Sequence, residues 1–126
     1  MSRKIISSKN APAAIGPYSQ AVSANGFIFT SGQIPIAPAS GNIEAKDIEG
    51  QTRQVMENLA EVLKAAGSDF SHVIKTTIFL SDMAHFAKVN EIYGKHFPKD
   101  PPARSTVQVA RLPKDALLEI ELIALA

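Results

Sequence analysis

VIKTTIFL, residues 73–80, is the stretch whose reading decides the fold. Valine, isoleucine and threonine are stiff at χ1 and suit a pleated surface, so the stretch reads as a strand. Apolar residues fall on both of its alternating faces, the pattern of a strand covered on both sides. The residues before it have a different period. Between positions 47 and 66, Val55, Met56, Leu59, Val62, Leu63 and Ala66 line one stripe of a helix. Asp47 suits the N-cap, and Gly67 suits the left-handed position beyond the C-terminus. After the strand, Ser81-Asp82 opens a second helix with the stripe Phe86, Val89, Tyr93 and Phe97, and Pro98 stops it.

Further out the signals are those of β-structure. KIIS near the start reads as a short strand, cut off by the loop NAPAAIGPYSQ. In AVSANGFIFTSG, Asn25-Gly26 is a hairpin signal, because a type I′ turn needs positive φ at both central residues. IPIAPASGN reads as an irregular loop. Two last strands, 105–110 and 117–125, are joined by the turn-like RLPKDA. Strands and helices mix without strict alternation, so the expected class is α+β: one domain over 1–126, a mixed sheet with two helices on one face. No third helix is available for the other face of 73–80. A second subunit is therefore expected to cover it.

Composition excludes several classes of function. The chain has 126 residues, 13 basic against 12 acidic side chains and a formal net charge of +1. No extended basic field is available for a nucleic-acid backbone, and no nucleic-acid partner is expected. With no cysteine there can be no disulfide, thiolate metal site or cysteine nucleophile, which fits a reducing, cytoplasmic setting. No apolar run reaches the length of a membrane span. No acidic residue precedes Glu44, a trait of transit peptides, but the strand-and-turn pattern already begins there and assigns those residues to the fold. His72, His85 and His96 lack metal-ligand spacing and read as solvated or locally bonded. Glycine-rich phosphate loops and the nucleophile elbow are absent, so neither metal nor organic cofactor is expected.

Isolated polar residues in rigid or apolar settings remain. In PPARSTV, 101–107, two prolines stiffen the approach to Arg104. A guanidinium held in this way can grip a carboxylate through paired hydrogen bonds; a surface charge on an edge strand explains it equally well. In LLEIELIALA, 117–126, alternation puts Ile120, Leu122 and Ala124 on one face and Glu119, Glu121, Ile123 and Leu125 on the other. One of those glutamates risks partial burial and a pKa raised toward that of a general base; alternation does not choose between them. Asn90 puts a carboxamide beside the Phe86–Tyr93 stripe, where a local backbone bond or a ligand contact would each account for it. Tyr18 and Ser31 lie at a loop and a strand end, where functional groups gather.

Five segments taken together match a pattern. GPYSQA (16–21), TSGQIP (30–35), IKTTIFLSDM (74–83), FAKVNEIYGKHF (86–97) and PPARSTVQVARLPKDALLEIELIA (101–124) resemble the RidA/YjgF family, reactive intermediate deaminases that hydrolyse 2-imino acids. The resemblance covers nearly the whole chain. It implies a chorismate-mutase-like fold and a homotrimer with a barrel-like core and intersubunit sites. By motif, it implies that Arg104 binds the substrate carboxylate and Glu119 orients or deprotonates the attacking water. Tyr18, Ser31 and Asn90 would line the pocket, Gly32 would allow close backbone approach, and Glu121 would be structural. Thr106 stands where many members have cysteine; the family's use of that position is through its backbone carbonyl, which threonine keeps. The implied reaction turns 2-iminobutanoate or 2-iminopropanoate into the 2-oxo acid and ammonia without a cofactor. Alternative readings are a small-carboxylate-binding regulatory trimer without catalysis, a ribonuclease or translation inhibitor, and a chaperone-like trimer.

Overall fold

The computed structural model describes residues 2–126. Its main sheet has six strands in the order β1-β2-β3-β8-β6-β7. These are β1 (Lys4–Ile6), β2 (Ala21–Ala24), β3 (Phe27–Thr30), β6 (Val73–Leu80), β7 (Ala103–Gln108) and β8 (Leu118–Leu125). Only β6 and β7 pair in parallel, as a crossover through α2 (Phe86–Gly94) allows, so the sheet is mixed. β4 (Ile36–Ala37) and β5 (Asn42–Ile43) form a second, two-stranded sheet, followed by α1 (Ile48–Ala65).

The local signals account for most of these elements. Asn25 and Gly26 take φ of 52° and 80°, as the β2–β3 hairpin requires. The Asp47 side chain accepts from the Gly50 amide to cap α1, and Gly67, at φ 78°, ends the segment. The second helical segment differs from its expected start. Asp82 caps a 3₁₀ turn, Met83–His85, and the α-helix begins only at Phe86. The loop reading of IPIAPASGN also gives way to the β4–β5 hairpin. Asn58 on α1 donates to the carbonyls of Ile34 (3.4 Å) and Ile36 (2.9 Å), a long-range tie that local composition does not announce.

Both helices cover one face of the sheet. Val55, Leu59, Val62 and Leu63 of α1 meet Ile28, Ile78, Leu80, Leu118 and Ile120 in one buried core, with Val89 and Tyr93 of α2. Along β6 the buried positions alternate: Thr76, Ile78 and Leu80 face the helices, while Thr77 and Phe79 are half-buried on the other side. On the second side this chain covers only the Phe79 end of the strand, where Ile34, Ile36, Leu112 and Ala116 form a smaller cluster, so the double covering expected for 73–80 is incomplete within one chain. Burial on β8 alternates in the same way, with Ile120, Leu122 and Ala124 inward. The uncovered face carries Phe29 (45% exposed), Val107 (44%) and Leu125 (43%). Phe29 and Leu125 group with Phe27, whose ring lies 6.4 Å from that of Phe29, in one exposed apolar patch, while Val107 stands apart on β7 with Thr77 and Glu121 between them on the same face. Among the described residues, no helix is long and apolar enough to cross a membrane.

Candidate functional site

The residues singled out in the sequence fall into two groups on opposite faces of the sheet. Strand register fixes this. Arg104 lies opposite Thr76, whose side chain is buried on the helical face, whereas Glu119 lies opposite Phe79 on the other face. With β6 between their strands, their backbones are roughly 14 Å apart by ordinary strand spacing.

Tyr18, Ser31, Gly32 and Glu119 line one cleft of about 290 Å³, together with Ile15, Ile34 and Pro113. Each of its sides is built locally. Gln20, buried, accepts from the Ser8 amide (2.6 Å) and donates to the carbonyls of Pro12 (2.7 Å) and Ser8 (3.1 Å), which ties down the loop that carries Tyr18. The Tyr18 hydroxyl accepts from the Ile15 amide at 3.2 Å. The Ser31 hydroxyl donates to the Ser19 carbonyl at 2.6 Å. Gln33 exchanges two backbone hydrogen bonds with Ile120, 2.8 and 3.1 Å, and so seats Gly32 against Glu119. A Cβ at Gly32 would stand 2.6 Å from Glu119 Cδ and 2.9 Å from its Cγ. Gly32 makes room for the carboxyl itself.

Alternation left Glu119 and Glu121 undecided; the fold separates them. Glu119 is half-buried and Glu121 exposed. Burial, and secondarily the charge of Glu121, pushes the Glu119 carboxyl above the ordinary carboxylate range. A carboxyl in such a setting is poised to take a proton from water.

Arg104 and Asn90 line a second hollow, of about 490 Å³, with Tyr93, Gly94, Phe97, Pro101 and Pro102. β7 is an edge strand, yet the guanidinium does not swing into solvent. Its Nη1 donates to Asn90 Oδ1 at 2.6 Å, and its Cζ lies 5.4 Å from the Phe86 ring centroid and 5.2 Å from that of Tyr93. The described residues include no carboxylate within ion-pair distance of it. The side chain is therefore aimed and held, with charge left for an external anion.

Thr106 shares the helical face with Arg104, opposite Ile78, and its buried hydroxyl finds no hydrogen-bond partner in the described structure. The histidines are local. His72 bonds Ser68 at 3.1 Å, and His96 packs 5.1 Å from the Phe70 ring, where burial lowers its pKa. No group of three His, Asp or Glu among the described residues could hold a metal.

The turn-like RLPKDA is a turn, but its strain and the place of Pro113 in the Glu119 cleft were not legible in the sequence. Lys114 and Asp115 both take positive φ, 55° and 54°, directly after Pro113, which lines the Glu119 cleft. Non-glycine residues in that region are sparse and gather at ligand sites, but neither side chain signals it in advance.

Comparison with known proteins gives a consistent result. The profile of the family described as "Endoribonuclease L-PSP" matches residues 8–126. A mouse protein named 2-iminobutanoate/2-iminopropanoate deaminase is 50% identical over 97% of this chain and 90% of its own length. Reactive Intermediate Deaminase A, chloroplastic, of Arabidopsis thaliana is 52% identical over 97% of this chain, which spans 65% of that longer protein. A Yersinia pestis structure, described as a protein of unknown function of the conserved Rid family, superposes with a TM-score of 0.97 at 50% identity, covering 99% of this chain and 100% of that one. The two-helix, mixed-sheet fold, the ordered motifs and these matches agree: the chain belongs to the RidA/YjgF family.

Proposed function

We propose that this protein is a hydrolytic deaminase of 2-imino acids, 2-iminobutanoate and 2-iminopropanoate among them. The carrying observation is Glu119: a half-buried carboxyl of raised pKa, packed on Gly32 in a cleft beside Ser31 and Tyr18. Arg104 binds the substrate carboxylate. Glu119 takes a proton from water as its oxygen adds to the imine carbon. The carbinolamine then collapses, the C–N bond breaks with proton transfer to nitrogen, and 2-oxo acid and ammonia leave. Positioning and one base are adequate for so reactive an electrophile. Asn90 holds Arg104, and the Thr106 backbone carbonyl faces the ligand.

One chain holds the two groups on opposite faces of its sheet. The reading therefore includes a homotrimer of chorismate-mutase type, in which the apolar face of one copy meets the β7 edge of the next. Arg104 of one copy and Glu119 of its neighbour would then share a cleft. The free charge of Arg104 and the exposed Phe29 and Val107 support this arrangement.

The test generates 2-iminobutanoate with a threonine dehydratase and traps surviving imine with semicarbazide. Added protein should cut semicarbazone formation sharply; an unchanged yield would defeat the proposal. A small-carboxylate-binding regulator would bind 2-oxobutanoate yet leave the trapped yield unaltered. RNA cleavage by a rigorously purified sample would favour the endoribonuclease reading instead.

A further inference from the structure

The core beneath Arg104 contains a polar pair that packing does not require. Thr76, 1% exposed, and Tyr93, 5% exposed, share a 2.7 Å hydrogen bond between their hydroxyls. Their neighbours are apolar: Tyr93 packs 4.7 Å from the Phe97 ring, and Ile78 and Val89 lie in the same core. Each buried hydroxyl loses water, and the bond between them restores only part of that loss. A valine and a phenylalanine of the same shape would be about as stable.

The pair has a geometry that Val and Phe would lack. Thr76 stands opposite Arg104 in the β6–β7 ladder. Its side chain grips the hydroxyl end of Tyr93, and the face of that ring carries the Arg104 guanidinium at 5.2 Å. A closed circuit results: backbone ladder from Arg104 to Thr76, hydroxyl bond from Thr76 to Tyr93, ring face from Tyr93 back to Arg104. Phe86, Asn90 and Tyr93 lie four and three residues apart, hence on one stripe of α2. One bond at Tyr93 thereby sets the rotation of the whole stripe against the sheet, and with it the second ring and the amide acceptor.

We propose that Thr76 and Tyr93 are positioning residues that aim Arg104 at its anionic ligand. This rests on the reading of Arg104 as the carboxylate binder. Arginine has high rotamer entropy, and on an edge strand it would otherwise sample many directions. The circuit removes that freedom before the ligand arrives, which lowers the cost of binding. The contact is made equally with substrate and transition state, so its loss should appear in KM and not in kcat.

The experiment compares the full-length wild type with Thr76→Val, Tyr93→Phe, the double variant and Thr76→Ser. Imine hydrolysis kinetics, thermal melting and ¹⁵N relaxation of the Arg104 Nε–H group are measured on each. The double variant should melt within about 2 °C of wild type, since both partners are removed together. Its KM should rise about fivefold with a much smaller change in kcat, the size of one cation–π contact. Its Nε–H should lose order, and Thr76→Ser, which keeps the hydroxyl, should restore both readouts. Unchanged KM and unchanged Nε–H order in the double variant would overturn the inference. A fall in kcat matching a fall in stability would reduce the pair to ordinary packing and overturn it as well. An ordered wild-type Nε–H that the double variant disorders, in a protein without imine hydrolysis, would uphold the aiming role and reject the deaminase.

Discussion

Nη1 of Arg104 donates a 2.6 Å hydrogen bond to Oδ1 of Asn90. The acceptor is neutral, so the bond orients the guanidinium without cancelling its charge. Removing the amide, Asn90→Ala, should raise KM for the imino acid about tenfold, the lower end of what one hydrogen bond to a charged group is worth. Asn90→Asp should be worse, about a hundredfold, because a carboxylate at that position would occupy the guanidinium itself. Steady-state kinetics on both variants checks the order; an aspartate no worse than alanine would detach Arg104 from carboxylate binding.

Glu119 should be indispensable to turnover and dispensable to binding. Glu119→Gln should lower kcat by about 10²–10⁴, the range for a lost general base, and leave 2-oxobutanoate affinity within a few-fold. The wild-type kcat/KM should rise with pH through a pKa above the usual carboxylate range, since burial and Glu121 hold the proton on. The stability consequence has a definite sign. A raised folded pKa favours the neutral carboxyl, so its contribution is full below the unfolded glutamate value and is lost as pH climbs through the folded one. Glu119→Gln should therefore melt above wild type at pH 7 and lose that advantage near pH 4. A lower melting temperature at pH 7 would contradict the assignment.

Gly32 is the tightest position in the cleft. A methyl group there would press Glu119 Cδ at 2.6 Å and Oε1 at 3.0 Å. Gly32→Ala should displace the carboxyl and cost about a hundredfold in kcat/KM, as misplacement of a reacting group by an ångström does. Gly41→Ala is the control: φ is 75° there but no atom lies within 4 Å, so only backbone strain is added, away from the cleft. Kinetics in which the two variants behave alike would show that Glu119 tolerates movement.

Thr106 offers a counterpoint. Its buried hydroxyl has no partner among the described residues, so Thr106→Val should leave stability equal or raise it by about 1 kcal/mol. Activity should persist, because the backbone carbonyl is unchanged. A large loss of turnover, measured beside the melting curve, would assign the hydroxyl to the ligand.

How much of this could be read in advance depends on the range of the interaction. The β2–β3 hairpin, the capped α1 and the strand at 73–80 rest on contacts between near neighbours, so Asn25-Gly26, Asp47 and the β-branched run disclosed them. The β4–β5 hairpin depends on Asn58 reaching back from α1, and the period of the intervening loop carries no trace of that. Arg104, Asn90, Glu119 and Gly32 were named from motif and setting. Their division between two faces follows from which strands become neighbours, and β8 is inserted between β3 and β6 by topology alone. Alternation alone could not choose between Glu119 and Glu121; the motif pointed to Glu119, and the physical reason, Gln33 bridging Ile120 beside only one of them, lies in a long-range contact.

The open face yields a prediction about assembly. Phe29, 45% exposed, lies between Val22 and Ile123 in the ladder. Phe29→Glu should leave the far-ultraviolet circular dichroism unchanged and convert a trimer, by sedimentation, to monomers with no imine hydrolysis. A variant that remains trimeric would move the interface elsewhere.

The central claim is that the reaction occurs where two chains meet, with Arg104 from one and Glu119 from the other. Arg104→Ala and Glu119→Ala should each be inactive alone. Unfolded together in equal amounts and refolded, they should recover about a quarter of wild-type imine hydrolysis, since random assembly in a ring joins an intact arginine to an intact glutamate at one contact in four. No recovery from mixed assemblies, beside an active wild type refolded in parallel, would place both residues of each working site in a single chain and contradict the account.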